Sequence, residues 1–403
     1  MVSVMSEVPE GPLHGIRVID LTTVISGPVC TMLLADQGAD VIKVEPAEGD
    51  MSRRMGADGQ FTPMFVSANR GKRSLSLDLK QPAAVAALRR LIGRADVLVQ
   101  NFRPGTMARL GLDEPSLRAD NPGLIYVSIS GVGETGPYVR KRVYDPVIQS
   151  LSGLADIQAD QDTGRPRMIR TIVADKTTAV YAAQAVCAAL VARGRTGLGQ
   201  HVRLSMLDTM VAFLWPEAMG QYTVVGKEAA AANPVARPDL IFQTLDGYIT
   251  VGSLSDSEWR GLCGVIGREA WIEDTRFRTA AARSANAAER LTLVGEILAG
   301  GHSQDWLDRL DAAEVPCAPV LRRGEVMHDK QVIANELIET MEQPSLGTVR
   351  QPRPAARFDR TPARIAGPAP RIGQHTEAVL AEVGYTGKEI AEMKRNRVAK
   401  GNM

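Results

Sequence analysis

The sequence predicts an α/β protein: a large domain built on a parallel sheet, followed by a smaller α+β domain. Two observations carry this. Short apolar strand segments alternate with helical spacings over roughly the first half of the chain, the mark of βαβ units. Between about Gln221 and Arg237 that pattern dissolves into Gly, Ala, Asn and Pro, and a different one begins.

Ile16-Arg-Val-Ile-Asp-Leu21 reads as the first strand, and Pro28 to Gln37 as a helix stopped by Gly38. Val41-Ile-Lys-Val44 is the next strand, ended by Glu45-Pro46. Ser74 to Leu79 alternates as a strand, and Gln81 to Arg94 has helical spacing. Asp96 to Gln100 and Leu124 to Ser130 are further short strands. Right-handed crossovers between such strands make the large domain Rossmann-like. Downstream of Asp175, the chain to Leu190 is almost wholly apolar and reads as a buried helix. Gly199 to Ser205 is a strand, followed by a long helix from Met206. The linker is placed at 221–236, after a first domain of 1–220. The small domain, 237–325, opens on the strand Tyr248 to Val251, with helices near Asp256 to Ile266, Ala285 to Leu298 and Ser303 to Leu310. Gln351 to Pro370 is rich in Pro and Arg with few regular signals. Gln374 to Val398 reads as two helices broken near Gly384.

Composition sets bounds on partners. The 403 residues are 44% hydrophobic and 23% charged, with a net charge of +1. That balance gives no global field toward nucleic acid or an anionic membrane. Aromatics at 4% leave little base-stacking surface. The four cysteines (Cys30, Cys187, Cys263, Cys317) show no metal spacing and read as reduced thiols of a cytoplasmic protein. Met1 to Pro12 lacks an apolar signal core. Ala179 to Ala192 is shorter than the roughly 20 residues of a membrane span.

In an open parallel sheet, ligands gather at the carboxyl ends of the strands. The loop after the first strand, Leu21 to Pro28, has one glycine, Gly27, and no GxGxxG. Dinucleotide binding therefore has little support, and Glu45 reads as a capping or surface carboxylate. Asn69-Arg-Gly-Lys-Arg73 carries three cations in five residues, suited either to a polyphosphate or to a solvated sheet edge. Asn101-Phe-Arg-Pro-Gly105 leads to Arg109, and the glycine-rich Gly131 to Pro137 leads to Arg140-Lys-Arg-Val-Tyr144-Asp145. Several cationic loops at one sheet edge point to an anionic, phosphate-bearing ligand. Asp175 stands at the mouth of the apolar helix, as its N-cap, as a nucleophile toward an activated acyl group, or as both. The five histidines form no Ser/His/Asp or HExxH arrangement.

Taken together, these segments resemble the class III CoA-transferase family. That family includes formyl-CoA:oxalate, carnitine, succinyl- and bile-acid CoA-transferases and the related α-methylacyl-CoA racemases. The resemblance runs from about Leu13 to the tail. It rests on Val18-Ile-Asp-Leu, Ser26-Gly-Pro, Gly38 to Pro46, Lys72 to Lys80, Asn101-Phe-Arg-Pro-Gly, Thr196-Gly-Leu-Gly-Gln-His-Val and Met206-Leu-Asp. It implies an interlocked homodimer of ring-like chains. The large domain would be completed by a return segment, 326–403, with the active site at the domain and subunit interface. It implies Asp175 as the catalytic nucleophile, forming aspartyl anhydride and aspartyl-CoA thioester intermediates. The substrates would be an acyl-CoA and a free carboxylic acid, with no prosthetic group and no metal. Positions matching the family's CoA contacts are Ile25, Ser26, Leu77, Asp78, Lys80, Asn101, Phe102, Arg109, Arg142, Tyr144 and Met206. Ile25 stands where formyl-CoA transferase has glutamine, against a formyl or oxalate preference. The racemases have histidine where this chain has Tyr144, which ranks epimerisation of an α-methylacyl-CoA as the alternative.

Overall fold

A computed structural model describes residues 11–54, 59–160, 162–227 and 239–401. Residues up to 10 and most of the expected linker at 221–236 lie outside these. The chain divides into two compact units, Met1–Val225 with Glu336–Met403, and Gly226–Asn335.

The larger unit opens with β1 (Arg17–Leu21), α1 (Ser26–Asp36), β2 (Asp40–Glu45), α2 (Pro63–Asn69), β3 (Arg73–Leu77), α3 (Pro82–Ile92) and β4 (Val97–Gln100). It continues with α4 (Thr106–Arg109), α5 (Glu114–Asp120), β5 (Ile125–Ser130), α6 (Asp145–Leu151), α7 (Leu154–Ile157), α8 (Val173–Thr196), β6 (His201–Ser205) and α9 (Met206–Leu214). The smaller unit holds β7 (Ile241–Gln243), β8 (Tyr248–Val251), α10 (Asp256–Val265), α11 (Ala280–Ala285), α12 (Ala287–Leu298), α13 (Ser303–Ala312), β9 (Cys317–Pro319) and α14 (Lys330–Ala334). Its three strands form one antiparallel sheet, packed with Trp259, Phe277 and Leu310. The larger unit resumes with the hairpin β10 (Ile338–Gln343) and β11 (Gly347–Pro352), then α15 (Thr376–Glu382), α16 (Gly387–Arg395) and β12 (Ala399–Lys400).

Seven strands form the main sheet in the order β12-β3-β2-β1-β4-β5-β6, parallel except for β12 against β3. Ile19, Ile42, Leu75 and Leu98 point to a core closed by Leu88 and Leu91 of α3, Val379 of α15 and Ile390 of α16. Val18, Val41, Val99 and Val127 face the other way, against Cys30 and Leu34 of α1 and Ala182 and Val186 of α8. With both faces covered, the central strand β4 is apolar on both sides, through Val97 and Val99 on one and Leu98 on the other. Chain direction across the sheet reverses between β1 and β4, and a cleft opens at that switch point.

Four expectations are corrected. Helix α8 is apolar because it is rich in alanine, and only one stripe of it is buried: Ala174, Thr178, Ala182, Val186 and Ala189 pack inward. Val180 and Val191 on its other side are 57% and 63% exposed. Helix α9 spans nine residues rather than a long run. Glu45 is neither cap nor surface group: it is buried, gripped by the Arg53 fork at 2.7 and 2.9 Å, and accepts from the Ser74 hydroxyl. The cations of Asn69–Arg73 are neither a phosphate cradle nor a solvated edge. Arg70 forks onto buried Asp36, Lys72 donates to Asp20, Pro28 and Asn69, and Arg73 pairs with Asp40 and Glu382.

Candidate active site

The loops that leave the carboxyl ends of β1, β4, β5 and β6 meet at a cavity of about 950 Å³. Its walls bring together Ser26, Asn101, Phe102, Arg109, Arg142, Tyr144, Asp175 and Met206 from the expected set. They add Thr23, Val24, Met51, Arg103, Arg140 and Lys141. Among the described lining residues, Asp175 is the only acid and none is a histidine. Among the described residues, five cations line the same cavity: Arg103, Arg109, Arg140, Lys141 and Arg142.

The structure does not bring Ile25, Leu77, Asp78 or Lys80 to this wall. Ile25 is buried at the N-cap of α1. Leu77 ends β3 inside the core. Asp78 accepts from Lys80 N–H and the Gln81 side chain at the entry to α3, while Lys80 is exposed.

Asp175 is the third residue of α8, and the helix has no capping bond from its own N-cap residue, Ile172. The cap is supplied from elsewhere. Buried Asp145, first residue of α6, accepts the backbone N–H groups of Ala174 (2.7 Å) and Asp175 (3.2 Å). Gln149 fixes Asp145 with a 2.6 Å bond and ties it to the Ile169 and Thr171 backbone. The capping task expected of Asp175 therefore falls to Asp145, and the Asp175 carboxylate is left for the cavity. The Tyr-Asp-Pro sequence at 144–146 was the available signal, since Asp-Pro opens a helix. Its partner lies 29 residues away, beyond any local pattern.

Burial and the nearby charge of Asp145 raise the pKa of Asp175 to about 6, against a downward pull from hydrogen bonds with the Ser26 hydroxyl and backbone N–H. At pH 7 the carboxylate is still about nine-tenths ionised. A partly desolvated, ionised carboxylate is competent to attack a thioester carbonyl.

Both ends of the Asn101 amide are spent on one residue: Oδ1 accepts Thr23 N–H and Nδ2 donates to Thr23 C=O, each at 2.9 Å. Tyr144 is the N-cap residue of α6, with its ring largely exposed. Arg109 donates to Thr106 and otherwise faces the cavity. Among the described residues no cluster of His, Cys, Asp or Glu is arranged to hold a metal, and no helix is long and apolar enough to cross a membrane.

Residues 13–376 match the family described as CoA-transferase family III. The succinate–glutarate CoA-transferase of Agrobacterium fabrum is 37% identical over 94% of this chain and 98% of its own length. The succinyl-CoA:mesaconate CoA-transferase of Haloarcula hispanica is 35% identical over 95% and 99%. Among solved structures, Rv3272 of Mycobacterium tuberculosis superposes with a TM-score of 0.82 at 31% identity, covering 92% of this chain and all of that one. A CAIB/BAIF family protein of Brucella suis gives 0.79 at 32% identity, covering 93% and 100%. The chain belongs to CoA-transferase family III. It is an enzyme that transfers CoA between an acyl-CoA and a carboxylic acid.

Proposed function

We propose that Asp175 carries this transfer as its covalent nucleophile, with succinyl-CoA or a similar short acyl-CoA as donor and a short dicarboxylic acid as acceptor. The Asp175 carboxylate attacks the thioester carbonyl, the C–S bond breaks, and an aspartyl anhydride and CoA thiolate result. The thiolate attacks the aspartyl carbonyl, giving an aspartyl-CoA thioester and releasing the donor acid. The acceptor carboxylate then attacks that thioester, and the steps reverse to release acceptor-CoA. No net proton transfer is needed, consistent with a wall that offers no histidine base.

One observation carries the reading: among the described residues, a single partly buried carboxylate shares one cavity with five cations. CoA phosphates account for some of those cations, with Arg109 and Arg142 the strongest candidates. Ser26, Asn101, Phe102, Tyr144 and Met206 would flank the pantetheine chain and thioester. A remaining cation of the Arg140–Arg142 run is available to the second carboxylate of a dicarboxylic acid, the acceptor type in the names of the relatives. The apolar, exposed side of α8 supports a homodimer in which a second copy covers Val180, Tyr181 and Val191. The interlocked arrangement of family members is the form proposed for it.

The test is chemical trapping. Enzyme incubated with succinyl-CoA and hydroxylamine should yield a hydroxamate at Asp175 by peptide mass spectrometry. An adduct on another residue assigns the nucleophile elsewhere. A panel of mono-, di- and hydroxy-carboxylic acids, read as acyl-CoA products, identifies the acceptor.

A further inference from the structure

Beneath the cavity lies a buried set of charges that the proposed chemistry does not use. Lys43 on β2 and Asp50 form an ion pair at 2.9 Å with both side chains fully buried. Asp20 on β1 pairs with Lys72 at 2.9 Å, also fully buried. Burying two ion pairs has no stability rationale of its own, because apolar replacements are commonly as stable.

Their hydrogen bonds converge on the loop between β1 and α1. Asp20 accepts Thr22 N–H at 2.8 Å. Lys43 Nζ donates to Thr22 C=O at 2.9 Å. Asn101 takes both backbone groups of Thr23. Asp50 Oδ1 accepts Val24 N–H at 3.3 Å. Asp50 is itself fixed by Ser52 through its N–H and hydroxyl, both at 2.8 Å. Side chains thus hold five successive backbone polar groups of a cavity-lining loop.

The loop needs this restraint. Val24 has φ of +70°, a left-handed conformation that a β-branched side chain strongly resists. Two residues later, Ser26 lines the same cavity as Asp175, and its hydroxyl and N–H donors draw the Asp175 pKa down. Strain in Val24 would relax the loop and turn those donors away.

We propose that Lys43 and Asp50 are positioning residues for the nucleophile: they clamp Thr22 and Val24 so that the strained loop aims Ser26 at Asp175. Neither lines the cavity, and both act through the loop backbone. This rests on Asp175 being the nucleophile.

The experiment uses the full chain with succinyl-CoA and glutarate as probes. In the double variant Lys43→Met/Asp50→Leu, both charges go together, while Asp20 keeps Lys72 and no lone buried charge remains. The expected result is a folded enzyme with kcat down by about 30-fold and KM for succinyl-CoA within about threefold, as misaimed groups predict. The acid limb of the kcat–pH profile should move up by about half a unit, because Ser26 no longer favours the ionised carboxylate. If the double variant does not fold, Asp50→Asn, which preserves size, is read the same way with an expected loss of about tenfold. A folded variant whose kcat is unchanged, or whose kcat falls with the acid limb unmoved, overturns the proposal. Hydroxylamine trapping on the parent separates the two ideas. An adduct at Asp175 with an unmoved limb in the variant sinks only the clamp, whereas no adduct at Asp175 in the parent sinks both.

Discussion

Replacing Asp175 by asparagine should abolish transfer and make the protein more stable, by an amount that depends on pH. Burial and Asp145 raise the carboxyl from 3.8 to about 6. The folded protein therefore holds this proton more tightly than the unfolded chain does. That proton-linked stability is complete below pH 3.8 and is lost as pH rises through about 6. A shift of roughly two units is worth about 3 kcal/mol at neutral pH. A carboxylate in the first turn of α8 regains about 0.3–1 kcal/mol from the helix N-terminus, which asparagine forgoes. The variant should thus gain about 2 kcal/mol at pH 7.5, and its advantage should widen by about 1–2 kcal/mol between pH 4.5 and 7.5. Thermal unfolding of both proteins without CoA across that range measures it, as a Tm gap of a few degrees. A variant no more stable than the parent at pH 7.5, or a gap that does not widen with pH, refutes the desolvated, like-charged environment assigned to Asp175.

Other outcomes follow from the same geometry. In the parent, kcat/KM should fall as pH drops through about 6, where Asp175 takes up its proton. Asp145→Asn removes the like charge, so that limb should move to lower pH, while thermal unfolding shows a loss of about 1–3 kcal/mol from weakened capping of α8. Arg142→Gln and Arg109→Gln should each raise KM for the acyl-CoA by about tenfold with little change in kcat, and the effect should shrink at high salt. Arg70→Met strands Asp36 in the core and should cost about 3–5 kcal/mol in denaturant unfolding. Gly27→Ala would place a Cβ 2.2 Å from Thr22 Cβ, against a residue whose backbone is held on both sides, so activity and Tm should both drop.

The parallel sheet was legible because its strands are short, apolar and separated by helical spacings, signals local to each segment. The loops that hold Ser26, Asn101 and Arg109 are legible at one sheet edge because ligands gather at the carboxyl ends of parallel strands, whereas the site roles of Ser26 and Asp175 come from the family resemblance. What stayed hidden depends on partners far along the chain. Arg70, Lys72 and Arg73 look like a phosphate loop until Asp36, Asp20 and Asp40 are seen beside them. The packed face of α8 is hidden in the sequence because an alanine-rich helix is apolar whichever face packs. Asp145 stands in a Tyr-Asp-Pro sequence that marks the start of α6, but nothing near it announces that it also caps α8.

Strand β12 carries one more consequence. It seals the edge of β3 through Ala399 opposite Leu77 and Lys400 opposite Ser76. These partners are about 320 positions apart, so on a ribosome adding 5–20 residues per second β3 waits on the order of 16–65 s for its neighbour. Throughout that interval a nascent chain displays an open row of strand amides, a template for pairing with other chains. The separate unit of Gly226–Asn335 is made within the same interval and has its own core, so it can mature first. Synthesis of this enzyme therefore has a vulnerable window set by topology, during which chaperone dependence and aggregation should be greatest.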